Sequence, residues 1–230
     1  MRLKTIILLL TAAFLPDFGF AQDVIPDVSP TATYIDEEGN ETTTDSDVGG
    51  QAPLEVTFRA NPENMEDYSP TYEWHFQKEG EETEMMVRYE EDTQYTFNES
   101  GTTRVTLIVK LNSEGDELDP KVINVTISES RLTFPNAFSP NGDNINDTFK
   151  AKEYQSLVEF HAYIFNRWGQ KLYEWTDPAG EWDGTYNGKP VKDGVYFLLV
   201  NAKGADGIKY NIRKDVNILR GLNQDNTLNE

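Results

Sequence analysis

Alternation of apolar and polar residues with a period of two is the feature that most constrains the fold of this chain. It is clearest over residues 54–59, where Leu, Val and Phe alternate with Glu, Thr and Arg. This pattern is typical of a half-buried β-strand. No long segment has apolar residues at the i, i+3, i+4 and i+7 spacing of an amphipathic helix. The sequence therefore predicts an all-β fold.

The same signal recurs along the chain, with turns rich in Gly and Asp between the strands. It predicts strands at residues 31–35, 71–76, 85–89, 95–97, 103–110, 122–127, 131–134, 157–165, 171–175, 195–201 and 208–219. The acidic segment 22–50, rich in Thr and Gly, indicates a linker around the strand at 31–35. Short strands at this spacing predict two β-sandwich domains in series.

The distribution of charge divides the chain near residue 130. Residues 22–130 hold 26 acidic and 6 basic residues, whereas residues 131–230 hold 13 and 12. We therefore predict two units with different surfaces. Nucleic acid and anionic membranes are disfavoured as partners, because binding to phosphate needs clustered Lys and Arg.

The N-terminal residues have the layout of a secretory leader. Two basic residues precede an apolar run at residues 6–15, and Gly19 and Ala21 place small residues at a cleavage site before Gln22. The run is about half as long as a membrane span. We expect residues 1–21 to direct export to the periplasm and the mature chain to have no membrane span.

The side chains that commonly carry catalysis are scarce or isolated. The chain has no Cys, and its two histidines, His75 and His161, lie in predicted strands of different halves without metal-binding spacing. It has no nucleophile elbow and no phosphate-binding glycine loop. Carboxylates are so abundant that no pair stands out. We therefore predict that the protein is not an enzyme.

Three motifs in the first half carry a family resemblance. They are Gly50-x-x-Pro53-Leu54-x-Val56-x-Phe58-x-Ala60, Tyr72-x-Trp74-x-Phe76 and Tyr95-x-Phe97-x-x-Ser100-Gly101. Together they resemble a PKD domain, although the polar turn after Trp74 departs from the family's Trp-Asp-Phe-Gly-Asp-Gly. The resemblance implies that residues 22–130 comprise an acidic linker and an immunoglobulin-like sandwich.

Four motifs in the second half carry a more specific resemblance. They are Phe138-Ser139-Pro140-Asn141-Gly142-Asp143-x-x-Asn146-Asp147, Ile164-Phe165-Asn166-Arg167-Trp168-Gly169, Trp182-Asp183-Gly184-x-x-Asn187-Gly188-Lys189 and Gly194-Val195-Tyr196. Residues 131–220 thus resemble the gliding-motility-associated C-terminal domain of Bacteroidota, the type B sorting domain of the type IX secretion system. The family commonly has Gly where Asp215 stands, and residues 221–230 form a tail beyond its usual end. With this domain, the expected fold is two tandem immunoglobulin-like β-sandwich domains.

The resemblance implies a non-enzymatic cell-surface protein. Its second domain would be recognised by the type IX outer-membrane translocon or associated helper proteins, leaving the acidic domain displayed at the surface or released. The layout is also similar to that of small proteins of the Por secretion system, which implies an accessory or signalling component. The alternative is a surface adhesin that binds an unknown glycan or protein ligand.

The candidate sorting and recognition residues belong to two of these motifs. They are Arg167, Trp168, Gly169, Trp182, Asp183 and Gly184. A purely structural interpretation places Trp168, Trp175 and Trp182 in the core. On that interpretation the Arg167 guanidinium stacks on a tryptophan ring and the glycines supply positive φ.

The loop at residues 139–147 is the candidate metal site. Asn141, Asp143, Asn144 and Asp147 offer the oxygen ligands that Ca²⁺ prefers, so calcium is the candidate cofactor. Ile145 breaks the EF-hand spacing. Side-chain capping of the local backbone explains such clusters more often, and both interpretations stay open.

Overall fold

The computed structural model describes residues 25–112 and 115–221. The predicted leader, and the predicted tail from residue 222 onward, lie outside these residues. Every regular secondary-structure element in the described part of the chain is a β-strand. That part also contains no helix with the length and apolar character needed to cross a membrane. The prediction of an all-β fold is confirmed.

The strands of the first half build two sheets and one short ladder. They are β1 (Asp27–Val28), β2 (Thr31–Ile35), β3 (Glu41–Thr44), β4 (Val48–Gly50), β5 (Leu54–Arg59), β6 (Pro62–Glu63), β7 (Thr71–Lys78), β8 (Met86–Arg88), β9 (Asp92–Phe97), β10 (Gly101–Lys110) and β11 (Lys121–Ile127). One sheet has the order β3-β2-β5-β9, the second has the order β4-β11-β10-β7-β8, and β1 pairs with β6.

The alternation at residues 54–59 explains the first core. Leu54, Val56 and Phe58 of β5 are buried, and they face Trp74 and Phe76 of β7 in the other sheet. The Phe58 ring lies 5.7 Å from the Trp74 ring, centroid to centroid. The two sheets therefore form a sandwich with an aromatic core.

The prediction of a linker is wrong for residues 41–44 and 48–50, which form β3 and β4. Strand β3 pairs antiparallel with β2, and β4 pairs parallel with β11. The sequence Glu-Thr-Thr-Thr of β3 has no apolar alternation, because this edge strand buries no side chain completely. Edge strands of this kind do not give the usual sequence signal of a strand.

The strands of the second half build one large sheet and three short ladders. They are β12 (Arg131–Thr133), β13 (Ala137–Phe138), β14 (Phe149–Lys150), β15 (Glu153–Gln155), β16 (Leu157–Phe165), β17 (Lys171–Trp175), β18 (Glu181–Trp182), β19 (Thr185–Tyr186), β20 (Lys189–Pro190), β21 (Gly194–Gly204) and β22 (Lys209–Ile218). The sheet has the order β13-β22-β21-β16-β17, and the ladders are β12-β15, β14-β18 and β19-β20.

The second core lies between the five-stranded sheet and the short ladders. Ile164 of β16 and Leu198 of β21 are buried on the inner face of the sheet. Phe149 and Trp182, which are paired across the β14–β18 ladder, belong to the same core. Short ladders thus form the second layer of this sandwich. The domain bounds at residues 130 and 220 stay predictions.

Candidate functional site: an exposed turn on a buried support

A tight turn at residues 166–170 joins β16 to β17. The Asn166 side-chain Oδ1 accepts hydrogen bonds from the backbone N–H groups of Trp168 and Gln170, each at 3.0 Å. Gly169 has φ +80°, and its N–H donates to the carbonyl oxygen of Asn166 at 3.0 Å. The asparagine and the glycine therefore fix the backbone of this turn, which we call the recognition turn.

The recognition turn holds Trp168 in solvent. The side chain of Trp168 is 77% exposed, so the expectation that this tryptophan packs in the core is wrong. It lies at the tip of a hairpin, where neither face of the sheet can cover it. The guanidinium of Arg167 lies 4.7 Å from the centroid of its ring, which confirms the predicted cation–π contact.

The motif that begins at Trp182 is anchored in the core, in contrast to the recognition turn. Trp182 is fully buried, as the structural interpretation predicts, and its Nε1 donates to the carbonyl oxygen of Thr185 at 2.9 Å. Its ring packs against Phe138 and Tyr196, with centroids 5.5 Å away in both cases. Trp175 is buried as well. Trp182 therefore supports the site from the core and is not available to a partner.

Asp183 and Gly184 shape the turn that follows Trp182. The Asp183 Oδ1 accepts a hydrogen bond from the N–H of Thr185 at 2.9 Å. Gly184 is buried at φ +77°, and a Cβ at this position would lie 3.2 Å from Pro140 Cγ and 3.3 Å from Phe138 Cζ. A glycine is needed here for both its conformation and its size.

Arg220 follows β22, the last strand in the described part of the chain, and connects it to this turn. The motifs do not include this residue. Its Nη1 donates to Asp193 Oδ1 at 2.6 Å and to the carbonyl oxygen of Val191 at 2.7 Å. Its Nη2 donates to the carbonyl oxygen of Gly184 at 3.4 Å. The arginine thus connects the loop before β21 with the turn after Trp182.

A surface groove connects the two motifs. The cavity has a volume of about 600 Å³, and its lining includes Trp168, Tyr186, Asp193 and Phe197. Tyr196 also lines it, packs on Trp182 and donates its hydroxyl hydrogen to the carbonyl oxygen of Lys192 at 2.7 Å. Burial raises the pKa of Tyr196. The candidate site is therefore the recognition turn and this groove, resting on the buried Trp182.

The loop at residues 139–147 uses its side chains to hold its own backbone. Asp147 Oδ1 accepts from the N–H groups of Asn141 at 2.9 Å and Gly142 at 2.7 Å, and its Oδ2 accepts from the N–H of Asn144 at 2.7 Å. Asp143 Oδ1 accepts from the N–H of Ile145 at 2.8 Å. These contacts are those of a capped turn.

The capping also determines the electrostatics of Asp147. The hydrogen bond from Gly142 lowers the pKa of this carboxyl, burial opposes that change, and the bonds from Asn144 and Asn141 lower it further. Within residues 25–112 and 115–221, no three His, Cys, Asp or Glu side chains are grouped to hold a metal ion. Calcium binding by Asn141, Asp143, Asn144 and Asp147 stays a prediction.

Comparison with protein families identifies the second half. Residues 132–213 match the model of the CHU_C type IX secretion signal domain. This segment is similar to a type IX secretion signal domain. The match confirms the resemblance drawn from the four motifs, and a domain of this kind implies export by the type IX system. The PKD-like character of the first half is not confirmed.

No curated protein sequence matches the chain. Among solved structures, it is similar to SGBP-B of the Bacteroides ovatus mixed-linkage glucan utilization locus, solved in complex with a mixed-linkage heptasaccharide. The identity is 16% over 76% of this chain and 43% of that one, with a TM-score of 0.27. The chain thus spans less than half the length of that protein.

Two further solved structures are similar at the same level. A tetra-tandem repeat from the extending region of a large adhesion protein is 11% identical over 86% of this chain and 68% of its own, with a TM-score of 0.30. Latent dimeric PorU of Porphyromonas gingivalis is 12% identical over 90% of this chain and 21% of its own, with a TM-score of 0.26. Structural similarity at these TM-scores gives no information about the function of this chain.

Proposed function

We propose that this protein is a non-enzymatic cargo of the type IX secretion system. The leader takes it to the periplasm, residues 131–220 serve as the folded sorting signal, and the acidic half is displayed at the cell surface. The match of residues 132–213 to a type IX secretion signal domain supports this role. Catalysis is not needed for it, since the sorting half acts through its surface.

The exposure of Trp168 is the observation that supports assigning partner recognition to particular residues. An exposed tryptophan stacked with an arginine has the composition of an interaction hot spot. The hydrogen bonds of Asn166 hold the recognition turn before any partner arrives, which lowers the entropic cost of binding. We infer that Arg167 and Trp168 contact the outer-membrane translocon or a helper protein.

Removal of the sorting half tests the first part of the proposal. In a host with an active type IX system, the full chain should reach the cell surface, and a chain without residues 131–220 should accumulate in the periplasm. Cell fractionation with an antibody against the first half measures both. Surface delivery of the truncated chain would contradict the proposal.

Substitution of the exposed tryptophan tests the second part. Trp168→Ala should reduce surface delivery of the full chain by at least about tenfold, since hot-spot residues contribute about 2 kcal/mol or more and about 1.4 kcal/mol corresponds to a factor of ten. Tyr89→Ala is the matched control, because Tyr89 is an aromatic residue 71% exposed in the first half. Equal delivery of the two variants would exclude Trp168 from recognition.

The role of the displayed half has two candidates. The layout of the chain is similar to that of PorA, a small protein of the Por secretion system, and would make it an accessory or signalling component. A surface adhesin with a glycan or protein ligand is the alternative. A deletion strain separates them: general loss of type IX cargo from the surface supports the accessory role, and loss of adhesion alone supports the adhesin.

A further inference from the structure

The short segment between the two halves is held on both sides. Strand β11 ends at Ile127 and β12 begins at Arg131, so only three residues lie between them. The N–H of Ser128 donates to the carbonyl oxygen of Gly50 at 3.0 Å, and the N–H of Ser130 donates to Asp206 Oδ2 at 2.9 Å. Junctions between domains are usually exposed segments with few contacts across them. This junction is different.

Ser156 of the sorting half reaches into the first half. It is 2% exposed, and its φ of +44° is uncommon for a residue other than glycine. Its Oγ accepts a hydrogen bond from the N–H of Ala52 at 3.3 Å and shares another with the Ser128 hydroxyl at 2.8 Å. A buried serine with both partners in the other half ties the two together.

Ala205, in the turn between β21 and β22, completes the core of the first half. Its side chain is buried within the hydrophobic cluster that contains Phe58 and Trp74. Its N–H donates to the carbonyl oxygen of Ser156 at 2.9 Å, and its own carbonyl oxygen accepts from the N–H of Ser100 at 3.1 Å. The turn of the sorting half therefore caps the end of the first sandwich.

Asp206, in the same turn, and Tyr210 of β22 both contact Ser130 of the junction. The Ser130 hydroxyl donates to Asp206 Oδ1 at 2.8 Å and lies 2.8 Å from the Tyr210 hydroxyl. Gly204 leaves room for this contact, because a Cβ at that position would lie 2.0 Å from Ser130 Oγ. We call Ser128, Ser130, Ser156, Ala205 and Asp206 the joint.

We propose that the joint makes the two halves one folding unit and closes the junction to proteases, so that the acidic half stays attached to its sorting domain. Proteases cut at exposed or locally opened segments. Opening residues 128–130 requires loss of the Ser128, Ser130 and Ser156 hydrogen bonds and removal of Ala205 from the first core. The inference is independent of Trp168 and of the delivery route.

Limited proteolysis tests the proposal directly, because Glu129 is a cleavage site for a glutamate-specific endoprotease. The Glu129 side chain is exposed, as are those of Glu81 and Glu82 in the loop between β7 and β8, so the sites differ in how the backbone around them is held. Cleavage after Glu129 in the full mature chain should be at least about tenfold slower than cleavage after Glu81 and Glu82. Mass spectrometry of the fragments measures these rates. Equal rates at the junction and the loop would overturn the proposal.

Variants of the joint make the test specific. Ala205→Lys places a charge in the first core and should raise the rate of cleavage after Glu129 by about tenfold or more. Ile208→Lys is the matched control in the same turn, because Ile208 is 52% exposed, and it should leave the rate unchanged. Neither substitution adds a cleavage site for this protease.

A second variant and a second measurement cover the case in which Ala205→Lys fails to fold. Ser156→Gly keeps the positive φ and removes both side-chain hydrogen bonds, so it should also speed cleavage after Glu129. The intact chain should unfold in a single thermal transition. Two separate transitions, or unchanged cleavage in Ser156→Gly, would overturn the proposal.

Discussion

At the scale of single residues, two tryptophans in neighbouring motifs have opposite environments. Trp182 lies in a strand that faces the second core, whereas Trp168 lies at the tip of a hairpin. Composition does not separate them, because tryptophan is both a core residue and an interface residue. The difference comes from the turn at residues 166–170, whose asparagine and glycine fix the backbone at the tip of the hairpin, where Trp168 is exposed.

The stabilities of the two tryptophan variants should therefore differ. Trp182→Ala should lower the free energy of unfolding by about 3–5 kcal/mol, since it removes a buried ring and leaves a cavity. Trp168→Ala should change it by less than about 0.5 kcal/mol. Chemical denaturation of the purified mature chain measures both. Similar losses in the two variants would contradict the assigned environments.

Asp147 should make the stability of the chain depend on pH. Its pKa is lowered in the folded state, so its contribution is present above its ordinary pKa and is lost as the pH falls through the lowered pKa. The difference in melting midpoint between the wild type and Asp147→Asn should be largest at neutral pH and should shrink as the pH falls below about 4. A difference that does not vary with pH would contradict the capping role.

The same loop allows a test of calcium binding. Because three backbone N–H groups already occupy the Asp147 oxygens, we expect equal melting midpoints in millimolar calcium and in chelator. A bound ion at 100 times its dissociation constant would instead add about 2.7 kcal/mol. A rise in the midpoint that Asp147→Asn abolishes would establish the calcium site.

At the scale of strands and turns, the sequence predicts the elements that bury one face. Strand β2 has the predicted bounds, and the alternation of residues 54–59 corresponds to β5. Strands β3 and β4 were missed, because an exposed edge strand and a Gly-rich strand have no apolar alternation. The joint was missed as well, since serines and an alanine give no signal until distant turns are brought together.

The two motif glycines offer a matched comparison of turns. Both have positive φ, so replacement by alanine costs about 1–2 kcal/mol of backbone strain in each case. At Gly169 no other atom lies within 4 Å of the added Cβ, whereas at Gly184 Pro140, Phe138 and Arg220 lie at 3.2–3.3 Å. Gly184→Ala should therefore be more destabilising than Gly169→Ala in chemical denaturation, and the reverse order would contradict the packing described.

At the scale of the whole molecule, charge is concentrated in one half. Residues 22–130 carry a net charge of −20 and residues 131–230 carry −1. Repulsion among the carboxylates destabilises the first half, and salt screens it. The second half, which we propose to be the sorting signal, is nearly neutral. The first half of the molecule is therefore strongly anionic. In the second half, net charge has little influence on binding, which depends on packing and on individual contacts.

The stability of the mature chain should consequently rise with ionic strength. Between about 0.01 M and about 0.3 M sodium chloride, the melting midpoint should rise by roughly 2 °C or more. Glu82→Gln should reduce this dependence, because it removes one charge from the acidic half. Glu153→Gln, which removes an exposed charge from the other half, is the control and should have a smaller effect. A midpoint that falls with salt would contradict the argument.

Parallel pairing at the sheet edges has a consequence for the timing of folding. Strand β4 pairs with β11 through Val48 and Val125, and β13 pairs with β22 through Ala137 and Asn217. In each half, a strand from the earlier part of the sequence can pair only after the strand at the end of that half is available. The chain between the two paired strands forms a long loop, and closing so long a loop is slow. A ribosome or pore that releases the chain from its N-terminus holds a half-finished sheet until the final strand emerges.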